Sequence, residues 1–416
     1  MCVGDAMDFA ALIHFLTTRY VTYECDMRKI KWLCFPVSLL LFAAVTATFP
    51  AWWCGVGAGK WFDDPGQQVA FANAFEQQIK TDLTIGDFGT AADQYNGEWL
   101  FCTHVLGATG FAQMAIQHPE QKEHYVLEME KCIDKLLEED MQRFDEKLWG
   151  SKAMETLDSD TEHHGAYLAY LNFVLSLHRT LKPESRFADT NDLITETIVR
   201  RIEKSKLLLL QTYRNQIYPP DNCLAIASIG LHEQATNAGN AGVLEKIITN
   251  FRELCIDQES GLMIQAIGST GRPYDEPRGS GTTFGLYFLS FVDSELAADL
   301  YQAAHRELAS SVIGFGLMQE YPESSKGGIG DVDSGPVIMN FAVSPTGFMI
   351  AGTRIFGDRN YFKKLYRTSV LFGAPLKVKD KWQYVTGGPL GNAIMFAMLT
   401  AVPAEVLDVP APRVKP

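Results

Sequence analysis

The sequence predicts an all-α fold, an (α/α)6 toroid of six helical hairpins preceded by one N-terminal transmembrane or signal-anchor helix. Three observations predict it. Beyond Gly59, helix-period apolar patterning dominates and few stretches alternate as strands do. Apolar helices rich in small residues take turns with charged ones along the chain. An uncharged run from Trp32 to Gly59 is long enough to cross a bilayer, which takes about 20 residues.

Residues 1–31 read as a cytoplasmic segment and residues 32–54 as a hydrophobic membrane anchor or signal. Arg28, Lys29 and Lys31 stand just before the run, so the positive-inside rule places the main domain outside the cytoplasm, in the periplasm. Trp52 and Trp53 suit the far interface. A cleaved signal ending near Val45-Thr46-Ala47 is the rival reading. Cys54 lacks the small-residue box of a lipoprotein. Asp5, Asp8, Glu24 and Asp26 sit awkwardly ahead of an export signal, and Met27 opens one, so Met27 is the expected start.

Residues 60–416 form the expected toroid domain. The apolar segments are 96–117, 162–181, 220–237, 281–292, 344–356 and 389–402. The first five are each followed by a more charged one: 118–144, 190–206, 243–256, 294–310 and 358–372. The sixth has no partner after it, and the helix at 67–83 has none before it. Pairing those two closes a ring. An irregular solenoid is the alternative, but an open solenoid needs polar caps at both ends.

Composition narrows the function. The chain has 416 residues, 47% of them hydrophobic, and a net charge of −14. That acidity argues against nucleic acid and against an anionic membrane surface. Membrane contact is expected through the N-terminal helix alone. None of the eight cysteines is spaced as CxxC and no histidine pair has zinc spacing, so no metal is expected. Cys102, Cys132, Cys223 and Cys255 lie in apolar helices and read as small buried hydrophobes. No Gly-rich piece follows a strand to open a nucleotide-binding helix, and no cofactor is expected.

In a six-hairpin ring the inner helices run parallel, so the loops before them gather at one end. Those loops hold the chemistry-bearing residues. The first carries Asp93, Tyr95, Asn96 and Glu98, the second His163 and His164, and the third Asp221 and Asn222. The fourth carries Tyr274 and Arg278, and the fifth Asp331 and Asp333. An Asp or Asn before a helix is commonly an N-cap, and a lone His is commonly a core residue. Convergence of carboxylates, histidines, tyrosines and an arginine on one rim instead fits acid–base chemistry, which needs groups with separated pKa values. Asp93, His163, His164 and Asp221 are the candidate catalytic set. Tyr95, Asn96, Glu98, Asn222, Tyr274, Arg278, Asp331 and Asp333 are candidate substrate contacts.

QYNGEW at the first inner helix, EHHGAYLAYLN at the second and YPPDN at the third resemble the linalool dehydratase/isomerase family of six-hairpin toroids. The resemblance spans about Asp93 to Val402 and rests on short motifs. It implies the toroid, a site at the helix N-termini and a catalytic histidine at His163 or His164. Pro220, Asp221 and Asn222 match the family's Pro-Asp-Asn. Tyr218 and Pro219 stand where it has a catalytic Cys and Glu, and Ala227 where it has a second Cys. Those departures put terpene dehydration itself in doubt.

Three functions follow as expectations. The first is a membrane-anchored, cofactor-independent lyase or isomerase acting on a hydrophobic alcohol. The second is a six-hairpin glycoside hydrolase or polysaccharide lyase acting on envelope glycans, with Asp93 or Glu98 opposing Asp331 or Asp333. The third is a non-catalytic ring that binds a partner. The substrate is a small molecule or glycan, and a homo-oligomer is left open.

Overall fold

The computed structural model describes residues 27–90, 92–403 and 406, with side chains from Phe35 onward. The segment before Met27, with its expected cytoplasmic stretch and upstream start, lies outside the described residues, as do the basic side chains at 28, 29 and 31. The chain divides into two compact units, Met1–Trp52 and Trp53–Pro416.

The first unit is helix α1, Met27–Cys54. The stretch Phe35–Asp63 reaches a mean hydropathy of 1.7, long and apolar enough to cross a membrane. Its large side chains are bare: Leu40 and Phe42 keep 70% and 67% of their surface exposed. A helix apolar all round and unpacked has no solvent-facing side.

The second unit opens with α2 (Ala58–Asp63) and α3 (Gly66–Ile79). Its inner helices are α4 (Asp93–Gln117), α7 (Gly165–Leu181), α9 (Pro219–Thr236), α11 (Gly279–Leu289), α13 (Val343–Ile355) and α15 (Gly388–Leu399). The outer helices are α5 (Lys122–Leu136), α8 (Ala188–Lys204), α10 (Ala241–Cys255), α12 (Ser294–Leu308) and α14 (Arg359–Gly373), with α3 as the sixth. A short α6 (Arg143–Trp149) follows α5. Each inner helix packs on the next, α4 on α7, α7 on α9, and so on to α15, which returns to α4. The fold is therefore the closed (α/α)6 toroid.

The seam joins α3 and α4 to α15. Phe396 of α15 stacks on Phe75 of α3 at 5.1 Å and meets Phe111 of α4 edge-on at 5.1 Å. Gly110 makes room for it, since a Cβ there would lie 2.5 Å from the Phe396 ring. Glutamine amides then tie the strandless seam to backbone carbonyls. Gln78 donates to Pro389 O at 3.0 Å, Gln113 to Ala397 O at 2.9 Å and Gln117 to Thr400 O at 2.7 Å.

Outer helices α12 and α14 begin at aspartate caps, Asp293 accepting from Leu296 N and Asp358 from Tyr361 N. The helix expected over 118–144 is instead broken after Leu136. There the Tyr167 phenol from α7 donates to the Leu136 carbonyl at 2.9 Å, satisfying one of the carbonyls that a helix end leaves free. Four two-stranded antiparallel pairs were not foreseen: Gln216–Ile217 with Ile267–Gly268, Ala309–Val312 with Phe315–Met318, Val337–Ile338 with Phe341–Ala342, and Pro375–Val378 with Lys381–Tyr384. Strands of two to four residues are too short for alternation to register. All four lie in connections from an outer helix to the next inner one, at the end where the inner helices start.

Candidate active site

That end holds a cavity of about 1590 Å3. Six acidic residues line it, Asp87, Glu98, Asp221, Asp275, Asp331 and Asp333, and three of them come from different hairpins with strongly shifted carboxyls. Glu98 comes from the second turn of α4, Asp221 from the first turn of α9, and Asp333 from the connection before α13. Residues expected in a loop, Asp93 to Glu98, are already helical here. That turns Glu98 one turn deeper than a loop would.

Two phenols support the carboxyls. Tyr170 of α7 donates to Asp221 Oδ1 at 2.6 Å, and Tyr213 donates to Glu98 Oε1 at 3.0 Å. Enclosure by protein disfavours charge on each acid, and the acids disfavour charge on one another. Glu98 is pushed up to about 8, first by desolvation, then by the Asp333 and Asp221 charges; the Tyr213 hydrogen bond opposes the shift. Asp333 rises to about 7 by desolvation, then by Asp331 and Asp221. Asp221 rises to about 6 by desolvation, held lowest by its hydrogen bonds from Tyr170 and Thr212. Asp333 is exposed where it lines the cavity, so water screens its carboxyl more than it does the half-buried Glu98 and Asp221. All three carboxyls are held above the ordinary carboxylate range.

The Asp333 loop is pinned. Arg278, at the start of α11, grips both Asp331 and Asp275 and lies 5.6 Å over the Tyr321 ring. Within the loop, the Ser334 hydroxyl accepts from Asp331 N at 2.9 Å, while Asp331 Oδ1 accepts from the backbone of Asp333 and Ser334. Beneath it, Glu320 is fully buried, accepts from Ser280 Oγ at 2.6 Å and is pushed up to about 7 by desolvation.

Of the residues singled out in the sequence, Tyr95, Glu98, Asp221, Asp331 and Asp333 line the cavity. Asp93, Asn96, His163, His164, Asn222, Tyr274 and Arg278 do not. Asp93 is exposed at the head of α4. Asn96 accepts from Thr90 N at 3.0 Å and Asn222 accepts from Leu210 N at 2.8 Å, so both amides clamp loops. Tyr274 is exposed.

The histidines sit behind the wall. His164 is fully buried, paired at 2.5 Å with Asp145, and packed 4.8 Å from the Trp149 ring. His163 accepts from Gln211 N at 3.1 Å, and desolvation lowers it to about 4. Gly165 explains this docking. A Cβ there would lie 2.8 Å from Gln211 O, which instead accepts from Gly165 N. The EHHG run thus packs against the 211–212 backbone rather than opening toward the bowl.

Tyr170, Tyr213 and Trp99 also line the site and were not singled out. Tyr170 stands in EHHGAYLAYLN, where a helical phenol reads as core. Only its meeting with Asp221, 51 residues away, gives it a role. The positions where the resembled family carries cysteines hold Tyr218 and Ala227. Cys223 is fully buried, its sulfur 3.9 Å from Met263 Sδ, and Ala227 is fully buried. Cys132 and Cys255 are buried and free, as read, whereas Cys102 reaches the cavity.

Away from the bowl, Glu76, His124 and Glu128 bring ligand atoms within 4.8 Å of one another on α3 and α5. His124 is 2.7 Å from Glu76, which also meets Lys80, while Glu128 pairs with Lys131. Ion pairing accounts for that cluster.

Fold and site together define the class, a six-hairpin toroid with a carboxyl-lined bowl. No family model and no curated protein matches the sequence. Among solved structures the chain is similar to the α-1,6-mannanase of Salegentibacter sp. HEL1_6, with 14% identity, TM-score 0.49, and coverage of 82% of this chain and 100% of that one. It is also similar to a family 105 glycoside hydrolase of C. acetobutylicum, with 11% identity, TM-score 0.48, and coverage of 80% and 98%. The Lin0763 protein of Listeria innocua has 12% identity, TM-score 0.48, and coverage of 80% and 96%.

Proposed function

We propose that the chain is a membrane-tethered glycoside hydrolase, working outside the cytoplasm by carboxyl acid–base chemistry. The observation that carries the reading is the Glu98–Asp221–Asp333 cluster, with its members pushed to about 8, 6 and 7. Hydrolysis of a glycosidic bond needs one carboxylic acid and one carboxylate across the sugar. Glu98, the highest, is the general acid that protonates the leaving oxygen. Asp221, the lowest, is the carboxylate that faces the anomeric carbon or takes a proton from the attacking water. Desolvation keeps Glu98 protonated, the Asp333 charge adds to that, and Asp333 contacts the sugar. Water's oxygen joins the anomeric carbon as the bond to the leaving oxygen breaks.

Export rests on Arg28, Lys29 and Lys31 at the N-terminal end of α1 and on the bare apolar surface that follows them. Turnover of a panel of aryl glycosides by the wild type and by Glu98→Gln tests the catalytic reading. Activity in the first and its loss in the second supports it. Wild-type inertness toward every glycoside, with the dehydration of alkenols retained, would transfer the cluster to lyase chemistry.

A further inference from the structure

The bowl combines acids with bare apolar side chains. Glu98, Asp221 and Asp333 come from α4, α9 and the loop before α13, and the phenols beside them from α7 (Tyr170) and the segment before α9 (Tyr213). Val312, Ile338, Met339, Val343 and Phe372, from the α12–α13 connection, the start of α13 and the end of α14, line the same cavity. These residues are also bare to solvent, Met339 at 86% and Ile338 at 68%.

The exposure is polarised along the toroid. Large apolar residues exposed in connections, Ile85, Ile313, Ile329, Leu376 and Val385 among them, fall in segments leading from an outer helix to an inner one. Among the described residues, the opposite turns at 118–121, 182–187, 237–240, 290–293 and 356–358 carry no large exposed hydrophobic. Bare apolar side chains that line the mouth of a reaction cavity suit a ligand that carries hydrocarbon.

We infer that the substrate is an amphiphile, a glycoside whose leaving group or neighbouring part is a long hydrocarbon chain. The sugar meets Glu98, Asp221 and Asp333, and the chain lies along Val312, Met339 and Phe372. The inference rests on the hydrolase reading for the sugar end. Membrane tethering fits it, since such a substrate lives in a bilayer.

The test is calorimetric binding of methyl, octyl and dodecyl glucosides and mannosides to the full chain carrying Glu98→Gln, held in amphipol. Burying methylenes against these apolar side chains should tighten binding at least about tenfold from methyl to octyl, and further to dodecyl. The double variant Met339→Ser/Phe372→Ser should collapse that ratio. Equal affinity across the series overturns the inference while leaving the hydrolase reading to the aryl glycosides. Unchanged chain-length dependence in the double variant also overturns it, because the chain then binds elsewhere or the rim serves only to seat on a bilayer. Chain-length-dependent binding with no glycoside turned over by the wild type sinks the hydrolase reading and leaves the hydrocarbon site standing.

Discussion

The Tyr213 hydroxyl donates to Glu98 Oε1 at 3.0 Å, across 115 residues of chain. The bond joins the start of the first inner helix to the loop before the third. It fixes the carboxyl that desolvation first, and the Asp333 and Asp221 charges second, push up to about 8.

Removing that carboxyl separates catalysis from folding. Glu98→Gln keeps the shape and removes the transferable proton. Turnover should fall at least about a hundredfold, the scale of general acid catalysis. The melting temperature should hold or rise, because a desolvated acid is gone. Loss of folding instead would make Glu98 a structural residue.

The histidines should behave in the opposite way. His164→Ala leaves Asp145 buried without its partner. Leaving a buried polar group without its hydrogen-bond partner costs about 1–3 kcal/mol, so thermal melting should drop. Residual activity per folded molecule should stay near wild type. A stable His164→Ala protein without activity would return the histidine to the reaction.

Stability should fall as pH rises past neutrality. A carboxyl whose folded pKa exceeds its unfolded one contributes fully below the unfolded value, about 4, and loses that contribution as pH rises through the folded value. For Asp221, Asp333 and Glu98 the loss runs up to about 6, 7 and 8. His163 has the reverse sign. Lowered to about 4, it contributes above its unfolded value of about 6.5 and loses that contribution as pH falls toward 4. Above pH 6.5 the carboxyls act alone, so melting temperature should decline from pH 6.5 to 8.5. Glu98→Gln should flatten the decline, and an equal slope in wild type and variant counts against the cluster.

Arg278 should act through position. Arg278→Ala frees Asp331 and Asp275, and with them the loop that carries Asp333. The expected result is a fall in kcat larger than any rise in KM, with Arg278→Lys recovering part of it. Lysine keeps the charge but cannot grip two carboxylates with one planar fork. Equal kinetics in all three proteins would remove Arg278 from the site's architecture.

The ring should unfold as a unit. A chain ending near Val385 lacks α15, which strips Phe75 and Phe111 of Phe396 and three glutamines of their carbonyl partners. Loss of helicity across the whole toroid domain is expected by circular dichroism. A soluble, fully helical truncation would mean that the hairpins stand without closure.

The toroid was legible because it is written locally. Alternation of apolar and charged helices needs only the helical period, and two unpaired helices at the ends leave ring closure as the economical answer. The bowl was legible as a place, since parallel inner helices send their preceding loops to one end. Glu98, Asp221, Asp331, Asp333 and Tyr95 followed from that topology. Asn96, Asn222 and the EHHG histidines came from the same loops and turned inward. Side-chain direction there depends on contacts such as Gln211 with Gly165 and Leu210 with Asn222, between segments far apart in sequence.

The sequence by itself determined the helical ring, the apolar N-terminal helix and the end at which polar residues gather, because periodicity and charge are properties of neighbours in the chain. Only the tertiary structure decided which acids share a cavity, which phenols hold them and which bare apolar side chains line the bowl. A carboxyl's pKa is set by the protein that encloses it and the charges beside it. For Glu98 those charges come from positions 221 and 333, and no local pattern brings them together.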